Sequence, residues 1–305
     1  MLLMFICSKM KLLLRFLTAI IVASLLTLFV FDFLLPRLNP KIGQLSISVN
    51  GQKAQIFLDG RAVGAAPFYS KTLPLGEHKV AIKSSSNPTG YVWSTETTLS
   101  NSTISTIDLD LGPSQIFTAG EVLYFQPGAT AVNIITTPAK ARVVIDDQDR
   151  GESPLSVNLS AGVHQLLVKK DGFLTRTVGI NIEPGYKLMA KVYLALDPFT
   201  TITKLESTAK ASFFLIRNES EDLSKDVSNW VSGLDFLQKN LPPAQTRFDA
   251  LVDNSGKVYT LNQTEWKNKK QTQSVVNIGY LAKANETRAT AAAQSSWVKI
   301  KADFN

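Results

Sequence analysis

The middle of the chain is written twice in one pattern of apolar and polar positions. Leu45, Ile47 and Val49 alternate with Ser46 and Ser48, the two-residue period of a strand that buries one face. Ala54, Ile56 and Leu58 then lead into Asp59-Gly60, a pair at ease with the left-handed backbone of a tight hairpin. Gly64, Pro67, the turn Pro74-Leu75-Gly76 and a strand from His78 to Lys83 come next. Further on, Ala141 to Ile145 runs into Asp146-Asp147, and Gly151, Pro154, Ala161-Gly162 and a strand from His164 to Lys169 repeat the order. Gly90-Tyr91 answers Gly172-Phe173, and each copy ends in two more alternating strands, at Leu111 and Leu196. Short strands punctuated this often by turn residues predict two small antiparallel β-sandwich repeats, over 43–111 and 131–196.

The pattern changes on either side of the repeats. Phe16 to Leu35 is apolar except for Thr18, Ser24, Thr27 and Asp32, and a helix of that length rises about 30 Å, the thickness of a bilayer's hydrocarbon core. Residues 112–130 carry Pro113, Gly120, Pro127 and Gly128 but also Ile116, Phe117, Val122, Leu123, Tyr124 and Phe125. That much apolar surface predicts a segment packed on one of the two repeats rather than a free linker. After Asp197-Pro198, Ser212 to Ile216 reads as a buried strand. Val227, Trp230, Val231, Leu234 and Leu237 fall on one face of a helix capped by Ser224, in which Gly233 costs about 1 kcal/mol relative to Ala. A hairpin turning at Asp253 to Gly256, a strand over Val275 to Leu281, and a last helix with Ala293, Trp297, Ile300 and Phe304 on one face complete an α/β domain over 205–305. The fold class is therefore mainly β: a transmembrane helix, two β-sandwich repeats and a C-terminal α/β domain.

Charge fixes the expected orientation. Lys9, Lys11 and Arg15 precede the apolar run, which places residues 1–15 as a cytoplasmic stub, 16–35 as a transmembrane helix and the bulk outside the cytoplasm, although Arg37 and Lys41 lie beyond it. A cleaved signal peptide would have a shorter apolar region and a small-x-small site. This run ends in Leu34-Leu35-Pro36-Arg37, so an uncleaved single-pass anchor in the cell membrane is expected. Cys7 is the chain's one cysteine and falls on the cytoplasmic side, so the exported part must hold together by burial without disulfides. The net charge of +7 is spread among acids, with Lys267, Lys269 and Lys270 the one tight basic cluster, and no groove-reading motif accompanies it, which argues against nucleic acid.

At the second repeat the chain resembles the PEGA domain family, in Asp146-Asp147, Gly151 to Pro154, Ala161 to His164 and Lys170 to Phe173. Its signature segment departs from the family pattern, reading Gly-Glu-Ser-Pro at 151–154 and Gly-Ala-Ala-Pro at 64–67. The resemblance implies extracytoplasmic modules without catalysis of their own. The C-terminal third resembles the zinc amidase and peptidoglycan-recognition family in Phe248 to Tyr259, in Trp266, and in Asn277 to Gly279 with Thr290 and Gln294 beyond. A catalytic zinc needs three protein ligands and an open position. Arg217-Asn218 stands where that family's first strand ends in His, Asp249 stands in a His position, and Lys267 comes directly after Trp266.

No histidine occurs beyond residue 164, so neither metal nor cofactor is expected. His78 and His164 share strand faces with Val80 and Leu166 and read as packed structural residues. No phosphate loop and no Gly-x-Ser-x-Gly elbow is present. The expectation is a non-enzymatic surface protein whose repeats act as spacers and hold a cell-wall-binding domain away from the membrane. Its ligand would be a peptidoglycan-like glycan or peptide, met by Arg217, Asp249, Tyr259, Trp266 and Lys267. The alternatives are a purely structural protein that binds other envelope proteins and, more distantly, an active zinc amidase.

Overall fold

A computed structural model describes residues 2–34, 41–50, 53–85, 90–199, 201–218, 220, 223, 225–240, 246–261, 266–269, 275–283, 285–286 and 288–304. Helix α1 (Leu2–Phe29) continues into one π-helical stretch, Val30–Leu34, that carries Asp32. From Phe16 to Phe29 its large apolar side chains are exposed, and none belongs to a core cluster. Thr18 and Thr27 donate their hydroxyls to the carbonyls of Arg15 and Ala23, at 2.9 and 2.8 Å, so neither needs water as a partner. Helix α1 is long and apolar enough to cross a membrane.

The first β-unit contains β1 (Ile42–Asn50), β2 (Ala54–Leu58), β3 (Arg61–Ala65), β4 (Phe68–Pro74), β5 (Gly76–Ser84), β6 (Val92–Leu99) and β7 (Ile104–Asp110). After β8 (Ala119–Pro127), the second contains β9 (Ala131–Thr137), β10 (Arg142–Ile145), β11 (Gln148–Glu152), β12 (Leu155–Val157), β13 (Gly162–Lys169), β14 (Arg176–Ile182) and β15 (Tyr186–Tyr193). One plan serves both. The order β3-β2-β5-β6 in one four-stranded sheet matches β11-β10-β13-β14 in another. The pairings of β1 with β4 and of β9 with β12 are antiparallel, whereas β1 with β7 and β9 with β15 are parallel. The parallel pairs arise because the first and last strands of each unit lie side by side after the chain has visited the other sheet.

The remaining strands do not form two separate sheets. They form one, in the order β12-β9-β15-β8-β7-β1-β4, with β8 antiparallel to both β7 and β15. Val122 and Tyr124 of β8 belong to the first core, with Leu45, Ile47, Ile107 and Leu109. Leu123 and Phe125 pack on the second core, with Leu188, Ala190 and Val192. Successive strand side chains point to opposite faces. The two cores therefore lie on opposite faces of a shared seven-stranded sheet. The segment over 112–130, expected to pack on one repeat, supplies the strand that both use.

Specific contacts fasten the seam. The Trp93 and Tyr193 rings meet edge to face at 5.3 Å, and Lys191 donates to the Glu96 carbonyl at 2.8 Å. Arg176 pairs with Asp110 at 2.7 Å and with Glu121. Burial pushes the Glu121 carboxyl above its ordinary value, an effect the Arg176 cation opposes without cancelling.

The C-terminal sheet runs β16-β17-β20-β18-β19, built from β16 (Thr201–Ser207), β17 (Ala211–Asn218), β18 (Ala250–Val252), β19 (Val258–Thr260) and β20 (Val276–Lys283). The α/β unit thus starts at Thr201, a few residues before the expected boundary. Helix α2 (Val227–Asn240) buries Trp230 and Leu234 on one face of the sheet, and α3 (Ala291–Phe304) buries Ala293, Trp297 and Ile300 on the other. Ser224, the expected cap of α2, lies outside the described residues.

Phe117 and Leu196, from the β-units, are buried in the same core as Trp230, Leu234, Phe248 and Leu281. A Cβ at Gly233 would lie 2.2 Å from the Phe117 ring. Gly233 is therefore more than a weak helix position, because only a residue without a side chain admits that ring.

This contact predicts a sign reversal. Gly233→Ala is expected to destabilise the full-length protein by about 1–3 kcal/mol through overpacking. In a Phe117→Ala background, itself costing about 3–5 kcal/mol, the same change should stabilise by up to about 1 kcal/mol, since helix propensity alone remains. Denaturant unfolding of the four-protein cycle measures it, and additive effects would remove the contact from the account.

Candidate functional site

The register of the C-terminal sheet decides which expected site residues meet. Both β17 and β18 run parallel to β20, with Ala250 opposite Ile278 and Arg217 opposite Ala282. Asp249 just precedes β18, and its amide donates to the Asn277 carbonyl at 2.8 Å. From Asn277 to Ala282 is five residues, so Arg217 and Asp249 are about 16 Å apart along the strands. Arg217 and Asp249 therefore do not share one groove. In parallel strands, the end of one and the start of another lie at opposite ends of the sheet, and a motif comparison carries no such information.

Tyr259 serves the hairpin beside it. Tyr259 donates its hydroxyl to Asp253 Oδ2 at 3.0 Å, and the Lys257 ammonium lies 4.7 Å from its ring centroid. Asp253 also accepts the amides of Ser255 and Lys257, each at 2.9 Å, so Tyr259 helps to fasten the β18–β19 hairpin. Burial would raise the Asp253 carboxyl, but its hydrogen bonds, led by Ser255, hold it below the ordinary range. Trp266 packs half-buried against the α3 side of the sheet, and Lys267 is exposed.

Asp249 does line a cavity of about 280 Å³, shared with Asp235, Gln238, Lys239, Arg247, Lys269 and Asn277. The last turns of α2 supply one wall. The Gln238 amide donates to the Phe248 carbonyl and accepts the Phe248 amide, both at 3.1 Å, which ties α2 to the start of β18. Asp249 accepts the Asn277 amide at 2.8 Å through one oxygen and the Lys269 ammonium at 2.6 Å through the other. Lys239 pairs with Asp235 at 2.6 Å. Sequence reasoning assigned Lys267 and missed Lys269. The two sit on one short helical turn, and nothing in the run of lysines distinguishes them. Among the described residues no cluster of His, Cys, Asp and Glu is arranged to hold a metal ion. The cavity presents both charge signs at close range, which suits a small group carrying both.

The histidines have another task. In the first unit His78 Nδ1 meets Asp59 Oδ2 at 2.7 Å and Nε2 meets the Pro74 carbonyl at 2.9 Å. In the second, His164 Nδ1 meets Asp146 Oδ2 at 2.6 Å and Nε2 meets the Ser160 carbonyl at 3.0 Å. Each aspartate opens a hairpin turn with φ near +50° and also accepts the amide after the histidine, from Lys79 or Gln165, at 2.9 Å. The histidine thus clamps a strained turn to the strand beside it.

Residues 129–197 match the PEGA domain family, so a PEGA domain is found in the second β-unit. The matched residues stop short of 43–111 and of the C-terminal unit. A search of curated proteins finds no match to the chain.

The clamp in the PEGA domain makes stability depend on pH. The hydrogen bond that His164 donates to Asp146 raises the His164 pKa, and the same bond lowers that of Asp146. A raised histidine stabilises fully below its unfolded pKa and loses the effect as pH rises through the folded value. A lowered aspartate stabilises above its unfolded pKa and loses the effect as pH falls through the folded value. The clamp is therefore expected to be strongest in mildly acidic solution. His164→Gln should flatten the stability profile between mildly acidic and alkaline pH, and NMR titration of the wild-type ring should place its pKa above that of a free imidazole. A ring that titrates at the free value would sink this account.

Proposed function

We propose that the chain is a membrane-anchored surface protein in which a PEGA domain and a second module of the same plan hold the C-terminal unit outside the bilayer. The polarity of the seven-stranded sheet carries this reading. Strands β1, β7, β15 and β9 all point the same way. The strand after the apolar helix, β1, starts at one end, and β15 delivers the chain to the C-terminal unit at the other. The like pairing of the two units and their matching His–Asp clamps support treating 43–111 as a further PEGA module.

A test uses the chain in liposomes bearing headgroup nitroxides, with Cys7 replaced by Ser. A fluorophore at Asn101, in the turn before β7, should be strongly quenched. One at Lys53, before β2 at the far end of the unit, about 25–30 Å away, should be spared. Equal quenching would overturn the orientation.

The C-terminal unit is read as a binding unit without catalysis. Both histidines of the chain are committed to clamps in the β-units, and the Asp249 cavity offers paired charges rather than a nucleophile beside a base. A cell-wall peptide, carrying amine and carboxylate together, fits that lining. Full-length protein in detergent should be retained on insoluble cell wall, and Lys269→Met should weaken retention by about tenfold, as expected for losing one charged hydrogen bond. Unchanged retention would remove the cavity from the proposal. A second reading, a protein that binds other envelope proteins, draws on β16, an edge strand exposed along its whole length that could accept a strand from a partner.

A further inference from the structure

We infer that the PEGA domain carries a binding site for a phosphodiester-linked polyol, at the end of the domain that adjoins the C-terminal unit. In the antiparallel register of β10 and β13, Arg142 lies directly opposite Lys169. Like charges directly opposite each other in a sheet repel. Lys140, two residues before Arg142, and Lys170, one after Lys169, add two more cations around a cavity of about 510 Å³. Lys170 donates to the Lys140 carbonyl at 3.3 Å, and Arg142 is paired with Asp149. The ammonium groups of Lys140 and Lys169 have no ion-pair partner among the described residues.

The first unit keeps two of these cations and lacks the others: Lys53 and Lys83 stand at the positions of Lys140 and Lys169, and Ser84 at that of Lys170. There the position of Arg142 is Gln55, opposite Lys83 and Ala65 in the same pairing. Lys140 is also held at φ +58°, a backbone region that costs a side-chain-bearing residue energy and that glycine would occupy freely. Glu152 and Asp171 share the cavity wall with the cations. Carboxylates beside unpartnered ammonium groups disfavour a bare polyanion. They suit a ligand whose phosphate sits on Lys140 and Lys169 while neighbouring hydroxyls donate to Glu152 and Asp171.

A lipid headgroup and a free polymer share this glycerol phosphate chemistry. The cavity lies where β10 begins and β13 ends, at the end of the sheet away from the start of β1. That position favours the polymer, a choice that rests on the anchored orientation proposed above. Full-length protein in phosphatidylcholine nanodiscs would be titrated with poly(glycerol phosphate), and separately examined for retention on phosphatidylglycerol liposomes. Saturable polymer binding that weakens with salt is expected. The double variant Lys140→Gly, Lys169→Gln should lower the affinity by about tenfold or more while leaving the thermal midpoint near that of wild type. Lys169→Arg should retain binding. No polymer binding, equal binding by the double variant, or binding to phosphatidylglycerol liposomes alone would each overturn the assignment. The nitroxide-quenching experiment reports on the orientation independently, so the two failures are distinguishable.

Discussion

The joining of the two β-units into one sheet rests on the double use of β8. A strand in an ordinary sandwich buries one face and leaves the other to water, which is why alternation of apolar and polar residues is its usual signature. In β8 the residues from Val122 to Phe125 are all apolar, and the structure divides them by parity. Val122 and Tyr124 go to one core, Leu123 and Phe125 to the other. Removing β8 would open both cores and leave β7 and β15 as free edges. The units are therefore distinct in their cores and joined in their hydrogen bonding, with Arg176, Trp93 and Tyr193 closing the seam.

The same segment couples the β-units to the C-terminal unit. Ahead of β8, Phe117 enters the core beneath α2, and Leu196 arrives there from the end of β15, its amide bonded to the Ile116 carbonyl at 2.7 Å. Two distant points of the chain thus meet under one helix of the C-terminal unit. Asn218, at the end of β17, donates to the Asp197 carbonyl at 2.9 Å beside them. A core shared this way holds its two parts by burial, which ordinary linkers do not provide.

Much of this was legible in the residues. The alternation at Leu45 to Val49, the turns at Asp59 and Asp146, and the apolar face of α2 come from period and turn chemistry, and each corresponds to an element in the structure. The partners of those elements were not legible. A continuous apolar run such as 122–125 says that both faces are covered but not by what. Gly233 looked like a weak helix position because its reason, the Phe117 ring, lies far away in sequence. The candidate site suffered most. Arg217 and Asp249 were aligned by motif, yet register within a parallel sheet is a three-dimensional quantity, and it sets them at opposite ends of the strands. Lys269 was passed over for Lys267 because only the fold distinguishes the lysine that faces Asp249.

Side-by-side joining also changes what a repeated module achieves mechanically. Two sandwiches stacked end to end would double the distance between the first and last residues. Here β1, β7, β15 and β9 run in the same direction in one sheet, so a second module widens the body and leaves its height at about one strand length, roughly 26 Å for eight residues. The spacer expected of the repeats is then a broad, low pedestal. A pedestal resists tilting better than a thin stalk, because its breadth lies across the direction in which a single tether would let it lean. Within the anchored reading, the C-terminal unit is then confined to a shallow layer above the bilayer. Any ligand it meets must already be there, which turns the choice of ligand from one of reach into one of composition near the membrane surface.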